Sequence, residues 1–186
     1  MIKVSNGNKK IGKDTLIFNM SSATDCPSRN RGLCNIEGGK CYAMKAEKAW
    51  PQVLPYRREQ GLYWSSHSSS EIAADIRAVM SRKNNPIKYV RFSEAGDFDV
   101  QLDVEKMKDV ARKIPEVQFY GYTARRDLSF DNLPDNMVVN GSGFMVSNMF
   151  TAVKEILDEE IQCPGNCREC SLCKEGTGLD IKVLYH

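Results

Sequence analysis

Several things are missing from this sequence, and each absence narrows what the protein can be. No run approaches the ~18 consecutive apolar residues that cross a bilayer. The polar segment Met1 to Lys13 lacks the apolar core of a secretory signal. A cytoplasmic, reducing location with no membrane partner is therefore expected. Charge of one sign is missing too. There are 26 basic and 24 acidic residues, a net charge of +2. Gripping a nucleic-acid backbone demands a dense basic face, so this balance does not indicate nucleic acid. Only short basic groups stand out, Arg29 and Arg31 with Lys40, and Arg125 with Arg126, and the second pair reads as a solvated face. Histidine is scarce. His67 falls in a Ser-rich break and His186 is the last residue, so neither suggests a positioned acid–base group. Gly141-Ser142-Gly143 lacks the rest of a dinucleotide fingerprint and the Lys-Ser/Thr of a phosphate loop.

What the sequence does have is cysteine, at its two ends. Cys26, Cys34 and Cys41 lie in or just after a Gly-rich loop, and Cys163, Cys167, Cys170 and Cys173 fall within eleven residues, with none between the groups. Seven is odd, so the thiols of one chain cannot all pair. In a reducing compartment such clusters point to metal rather than disulfides. Clustered thiolates suit zinc or iron–sulfur clusters. The run C-P-G-N-C-R-E-C-S-L-C is too compact for two separate zinc knuckles. Its two- and three-residue gaps suit a loop wrapped round a [4Fe–4S] cluster, as in ferredoxin-type runs. Pro164 and Gly165 favour the turn. Zinc stays open as the alternative. The trio, spaced C-x7-C-x6-C, could hold three irons and leave one open, or complete a site with a thiolate of the C-terminal run. Against both stands the plain reading that some of these are buried free cysteines.

The remaining pattern predicts an α/β fold, a partial (β/α) barrel or mainly parallel sheet with crossover helices and Cys-rich loops at both ends of the chain. It reads as one domain over 1–186, with 161–180 a cluster-binding segment. Strands are expected at 15–20, 87–93, 117–123, 137–140 and 181–185. Helices are expected at 42–50, 53–64, 71–81 (capped by Ser69 or Ser70), 100–113 and 148–160. From residue 87 the two alternate, which argues for parallel strands. Ligands of such folds collect beyond the carboxyl ends of the strands. There lie Ser21 to Cys41, Ser93 to Asp97, Thr123 to Arg126 and Asn140 to Gly143. Glu94 and Asp97, flanking Gly96, either orient a cofactor or form a plain turn into a helix. Phe119, Tyr120 and Tyr122 are accounted for by packing.

The loop Cys26-Pro27 … Cys34 … Gly39-Lys40-Cys41-Tyr42-Ala43-Met44-Lys45-Ala46, with Arg91-Phe92-Ser93, Gly96-Asp97 and the Cys-rich end, resembles the phage-encoded "gene product eighty-eight" domain family. If phage-encoded, the protein would work in the host cytoplasm. The layout is also similar to a reduced radical S-adenosylmethionine enzyme. That resemblance implies a [4Fe–4S] cluster on Cys26, Cys34 and Cys41, with S-adenosylmethionine on its open iron. It further implies cofactor contacts from Ser93, Glu94, Gly96 and Asp97, and from Asn140 and Gly141 at another strand end. The usual C-x3-C-x2-C spacing of that superfamily occurs here at Cys163, Cys167 and Cys170. The expected function is redox or radical chemistry on a small-molecule or macromolecular substrate, with an electron donor as partner. The alternative is a non-enzymatic module, stabilised by zinc or a cluster, that binds nucleic acid or protein.

Overall fold

Strand β3 (Tyr89–Phe92) shows how the sheet is built. Val90 and Phe92 are buried on one face, and Tyr89 and Arg91 turn to the other. The same alternation runs through β4 (Gln118–Thr123), with Phe119 on the first face and Tyr120 and Tyr122 on the second. Strand β2 (Thr15–Phe18) is buried at every residue, as a parallel strand covered on both faces should be.

The computed structural model describes residues 2–7, 10–34 and 41–185. Its strands form one eight-stranded sheet in the order β1-β2-β3-β4-β5-β6-β8-β7. Only β1 (Ser5–Asn6) is antiparallel to its neighbour. All the other pairings are parallel. The remaining strands are β5 (Met137–Ser142), β6 (Asn148–Val153), β7 (Ile161–Gln162) and β8 (Asp180–Leu184).

The described residues form five helices, of which the three longest cover the first face. The five are α1 (Pro27–Asn30), α2 (Tyr42–Ala49), α3 (Val53–Ser66), α4 (Ser69–Met80) and α5 (Gln101–Lys113). Ile72, Ala73 and Ile76 of α4 and Val104, Met107, Val110 and Ala111 of α5 share one core with Leu16, Phe18, Val90, Phe92, Phe119 and Val139. Their 3–4-residue spacing is that of an amphipathic helix. On the opposite face Tyr120, Val138, Phe150 and Ile181 pack with Cys163, Leu172, Cys173 and Leu179. The Cys-rich segment is thus the connection from β7 to its parallel neighbour β8, and it lies over the sheet face that the helices leave uncovered. Three parallel pairings, β4–β5, β5–β6 and β7–β8, are connected without a helix. Strands β5 and β6 overlap by only three pairs, so the short turn through Gly143 suffices to return the chain.

The α/β reading, the parallel sheet and four of the five expected helices hold. The helix expected at 148–160 is instead β6, followed by turns into β7. A helix there would have ended on Asp158, Glu159 and Glu160, against its own dipole. Phe150, Thr151 and Val153 suit a strand. The cap of α4 is Ser68, one residue before the expected ones. Its hydroxyl accepts from the Glu71 N–H, and the Glu71 carboxylate accepts from the Ser68 N–H at 2.8 Å. Ser68→Ala is expected to cost about 1 kcal/mol in urea unfolding, the ordinary worth of such a cap.

Candidate metal centre

The first cysteine group sits at the carboxyl edge of the sheet, in the loop that leaves β2. Asn19 begins the loop. Its side-chain oxygen accepts from the Ala95 N–H and its amide donates to Gln60 Oε1, both at 2.8 Å, which ties the end of β2 to the end of β3. Glu47 of α2 holds the next turn. Its carboxylate accepts from the Ala23 and Thr24 N–H groups at 2.6 and 3.0 Å, from the Thr24 hydroxyl, and from Arg57. Burial opposes that charge, but these donors outweigh it and hold the Glu47 pKa below the usual carboxylate range. Cys26 precedes Pro27 at the start of α1, and Cys41 immediately precedes α2. Cys34 lies between them and its thiol is an electrostatic neighbour of both Cys41 and Cys26. Burial pushes the Cys26 and Cys34 thiols up to about 11, and the nearby Asp97 carboxylate adds to the effect at both. Cys41 packs with Ala23, Ala43 and Ala95, small residues that let the loop approach the end of β3. Gly38, Gly39 and Lys40 lie outside the described residues.

The end of β3 is the second part of this edge. Ser93 is buried and has φ +57°, a left-handed conformation uncommon for a non-glycine residue. Its N–H donates to Phe18 O, while its hydroxyl, like that of Ser21, is buried without a hydrogen-bond partner. Gly96, with φ +79°, lies so close to Ser21 that a Cβ there would come within 2.1 Å of the Ser21 hydroxyl. Glu94 is partly exposed, 3.7 Å from Arg57, and its backbone oxygen accepts from the Tyr42 hydroxyl. Asp97 is committed to the protein itself. Its Oδ1 accepts from the Phe98 N–H and the Thr123 hydroxyl, and its Oδ2 from the Ser28 hydroxyl and the Ala124 N–H, at 2.6–2.8 Å. Burial pushes its pKa up, against the pull of those donors.

The second group lies on the face away from the helices. Cys163, Cys167, Cys170 and Cys173 line one small cavity together with Tyr122 and Phe150. Its walls hang from two buried asparagines. Asn140 donates through its amide to the carbonyls of Gly121 and Cys173, at 3.0 and 2.9 Å. Asn148 donates to Asn140 Oδ1 and to the carbonyls of Leu172 and Glu175, and accepts from the N–H and hydroxyl of Thr177. Gly141 is needed by close approach, since a Cβ would come within 2.0 Å of the Phe144 carbonyl. Asn140 thus serves the Cys-rich crossover and Gly141 the turn between β5 and β6. Among the described residues, no three Cys, His, Asp or Glu side chains form a group that could hold a single metal ion as they stand.

Three other sequence readings meet the structure here. Arg125, read above as part of a solvated basic face, is 2% exposed. Its guanidinium donates to the carbonyls of Phe98 and Asp99 and to both oxygens of Asp127, clamping the ends of β3 and β4. That pairing holds the Asp127 pKa down at about 2. Arg31 pairs with Asp99. His67 stacks on Tyr63 at the end of α3, with ring centroids 3.8 Å apart, and His186 lies outside the described residues. The sequence reading passed over Arg91, Asn148 and Glu47. A lone arginine inside an apolar parallel strand was the available signal for Arg91. Nothing local marks the other two, most of whose partners are 23 or more residues away.

No curated protein and no solved structure matches the chain. A family model described as gene product 88 matches residues 2–162. It takes in the N-terminal trio and every strand through β7, and stops one residue short of Cys163. The match spans most of the sequence, so the chain belongs to the gene product 88 family.

Proposed function

We propose that Cys26, Cys34 and Cys41 hold a [4Fe–4S] cluster at the carboxyl edge of the sheet, and that the protein carries out redox chemistry of the radical S-adenosylmethionine type there. The observation that carries this reading is the placement of the trio. Three thiols, with Cys34 the electrostatic neighbour of both Cys26 and Cys41, sit beyond the ends of parallel strands, where α/β folds gather ligands. The donor set fits the group, because three thiolates bind three irons. Such a cluster leaves one iron open to chelate the methionine part of S-adenosylmethionine and pass it an electron. The chain's own residues supply the rest. The unpartnered Ser93 hydroxyl is free to hydrogen-bond a ligand at the end of β3. The partly exposed Glu94 carboxylate is suited to an amino group. Asp97 positions this edge without touching the ligand, since its acceptor sites are filled by the protein.

The test is spectroscopic. Protein purified without oxygen and then reduced should show an iron–sulfur electron paramagnetic resonance signal that shifts on adding S-adenosylmethionine. Cys34→Ala should abolish that shift. A reduced native protein whose spectrum ignores S-adenosylmethionine would sink the reading. A colourless protein with one tightly held zinc would favour a metal-stapled binding module instead.

A further inference from the structure

We propose that Cys163, Cys167, Cys170 and Cys173 form a metal centre of their own, closed by four thiolates and separate from the N-terminal trio. Its ligand is a thiophilic metal group, one zinc ion or one [4Fe–4S] cluster. This goes beyond the function proposed for the trio and does not depend on it.

The first support is placement. All four cysteines line the same cavity, under Tyr122 and Phe150 on the uncovered face of the sheet. None of the trio lines that cavity, and Cys41 belongs to a different packing group, with Ala23, Ala43 and Ala95. The family match also divides the two, because it includes the trio and ends at Gln162.

The second support is charge. Four thiolates around Zn²⁺, or around a [4Fe–4S]²⁺ core, carry a net charge of −2 in either case. Four neutral thiols carry none. The surroundings suit the anion. Lys174 is 6% exposed, and its ammonium donates to the Cys167 carbonyl and sits 4.4 Å from the centre of the Tyr89 ring. Arg91 projects from β3 on this face, with its guanidinium 5.5 Å from the centre of the Tyr122 ring and its buried Nε–H without a partner. Both cations are electrostatic neighbours of Cys173. Among the described residues, neither has a carboxylate within ion-pair distance. A buried cation without an ion-pair partner is costly. Lys174 is buried and Arg91 half-buried, with Glu94 also among the electrostatic neighbours of Arg91, and both cations suit four thiols that are ionised on a metal. Tyr122 packs beside Cys173, an outer contact of the kind that steadies metal thiolates.

The third support is preorganisation. The carbonyls of Cys167, Leu172, Cys173 and Glu175 are all held by buried Lys174, Asn148 or Asn140 side chains. The main chain of the cup is thereby fixed before any metal arrives.

The test separates the two cysteine groups. The triple variant Cys26→Ser, Cys34→Ser, Cys41→Ser, purified without oxygen, should keep about one zinc, or about four irons with four sulfides, per folded chain. Metal and sulfide analysis decides between these two forms of the same centre. A folded triple variant free of metal overturns the proposal. The double variant Cys167→Ser, Cys170→Ser approaches the question from the other side. It should lose that same complement and keep any response of the reduced protein to S-adenosylmethionine. Unchanged metal content in the double variant overturns the proposal, whatever the triple variant does. With all seven cysteines in place, Arg91→Met should speed loss of this metal to a chelator about tenfold, as outer-contact changes do. An unchanged rate overturns the charge argument.

Discussion

Asp97→Ala is expected to destabilise the fold by about 4 kcal/mol, the largest effect of any single substitution at the carboxyl edge. The size follows from what is left behind. The carboxylate is 5% exposed and receives four donors from three parts of the chain. These are the Ser28 hydroxyl from α1, the Phe98 N–H just past β3, and the Thr123 hydroxyl and Ala124 N–H at the end of β4. Alanine leaves these donors without their acceptor, and a buried donor without a partner costs about 1–3 kcal/mol. Two hydroxyls can turn to other acceptors, which keeps the total below the simple sum. Asp97→Asn should cost less, about 2 kcal/mol, because its carbonyl oxygen still accepts while its amide faces donors. Urea unfolding of the two variants gives the comparison. Equal losses, or a loss under 1 kcal/mol for alanine, would remove Asp97 from its place as the clamp of this edge. Since Ser28 lies in α1 immediately after Cys26, the same variant should also loosen the trio.

The fold was largely legible because its strongest signals are local. The 3–4-residue spacing of Ile72, Ile76, Val104, Met107 and Ala111 needs no knowledge of the partner they bury against. The same holds for the alternation in Tyr89–Phe92 and Gln118–Thr123. The error at 148–160 shows where local pattern stops. Asn148 reads as an ordinary helix start, yet its amide is spent on Asn140, Leu172 and Glu175, and those partners fix the segment as a strand. Arg125 was misread for a related reason. An arginine beside another arginine looks solvated until the carbonyls of Phe98 and Asp99 are folded over it. The cysteines were legible as two groups, and their chemistry as thiolate. What spacing alone could not convey is that the groups occupy different surroundings, one beyond the end of β2 with Cys41 against Ala23, Ala43 and Ala95, and one under Tyr122 and Phe150. Nor could it reveal Arg91, Lys174 and Tyr122 around the second, since each comes from a different element.

Asn148→Ala is expected to cost about 3 kcal/mol and to free the Cys-rich crossover more than it disturbs the sheet. Asn148 is fully buried and uses its whole side chain. Its amide serves three acceptors, at 2.7–3.2 Å, and its oxygen accepts from the N–H and hydroxyl of Thr177. Four of these five bonds reach into residues 172–177, and only the Asn140 bond stays within the sheet. Truncation therefore strips the crossover of its anchors while the β5–β6 backbone pairing survives. Amide hydrogen exchange separates the two effects. Residues 163–179 should exchange at least tenfold faster in the variant, and those of β3 and β4 should slow or speed only with global stability. Uniform acceleration across the sheet would mean that Asn148 supports the fold as a whole and not the crossover in particular. The contrast matters for the metal proposed there. A four-thiolate centre at Cys163, Cys167, Cys170 and Cys173 would bind across the same segment and resist its opening, because a ligand that binds only the closed form stabilises it by mass action. Metal-loaded Asn148→Ala should then regain much of the lost protection between residues 163 and 179, whereas the same variant stripped of metal should not.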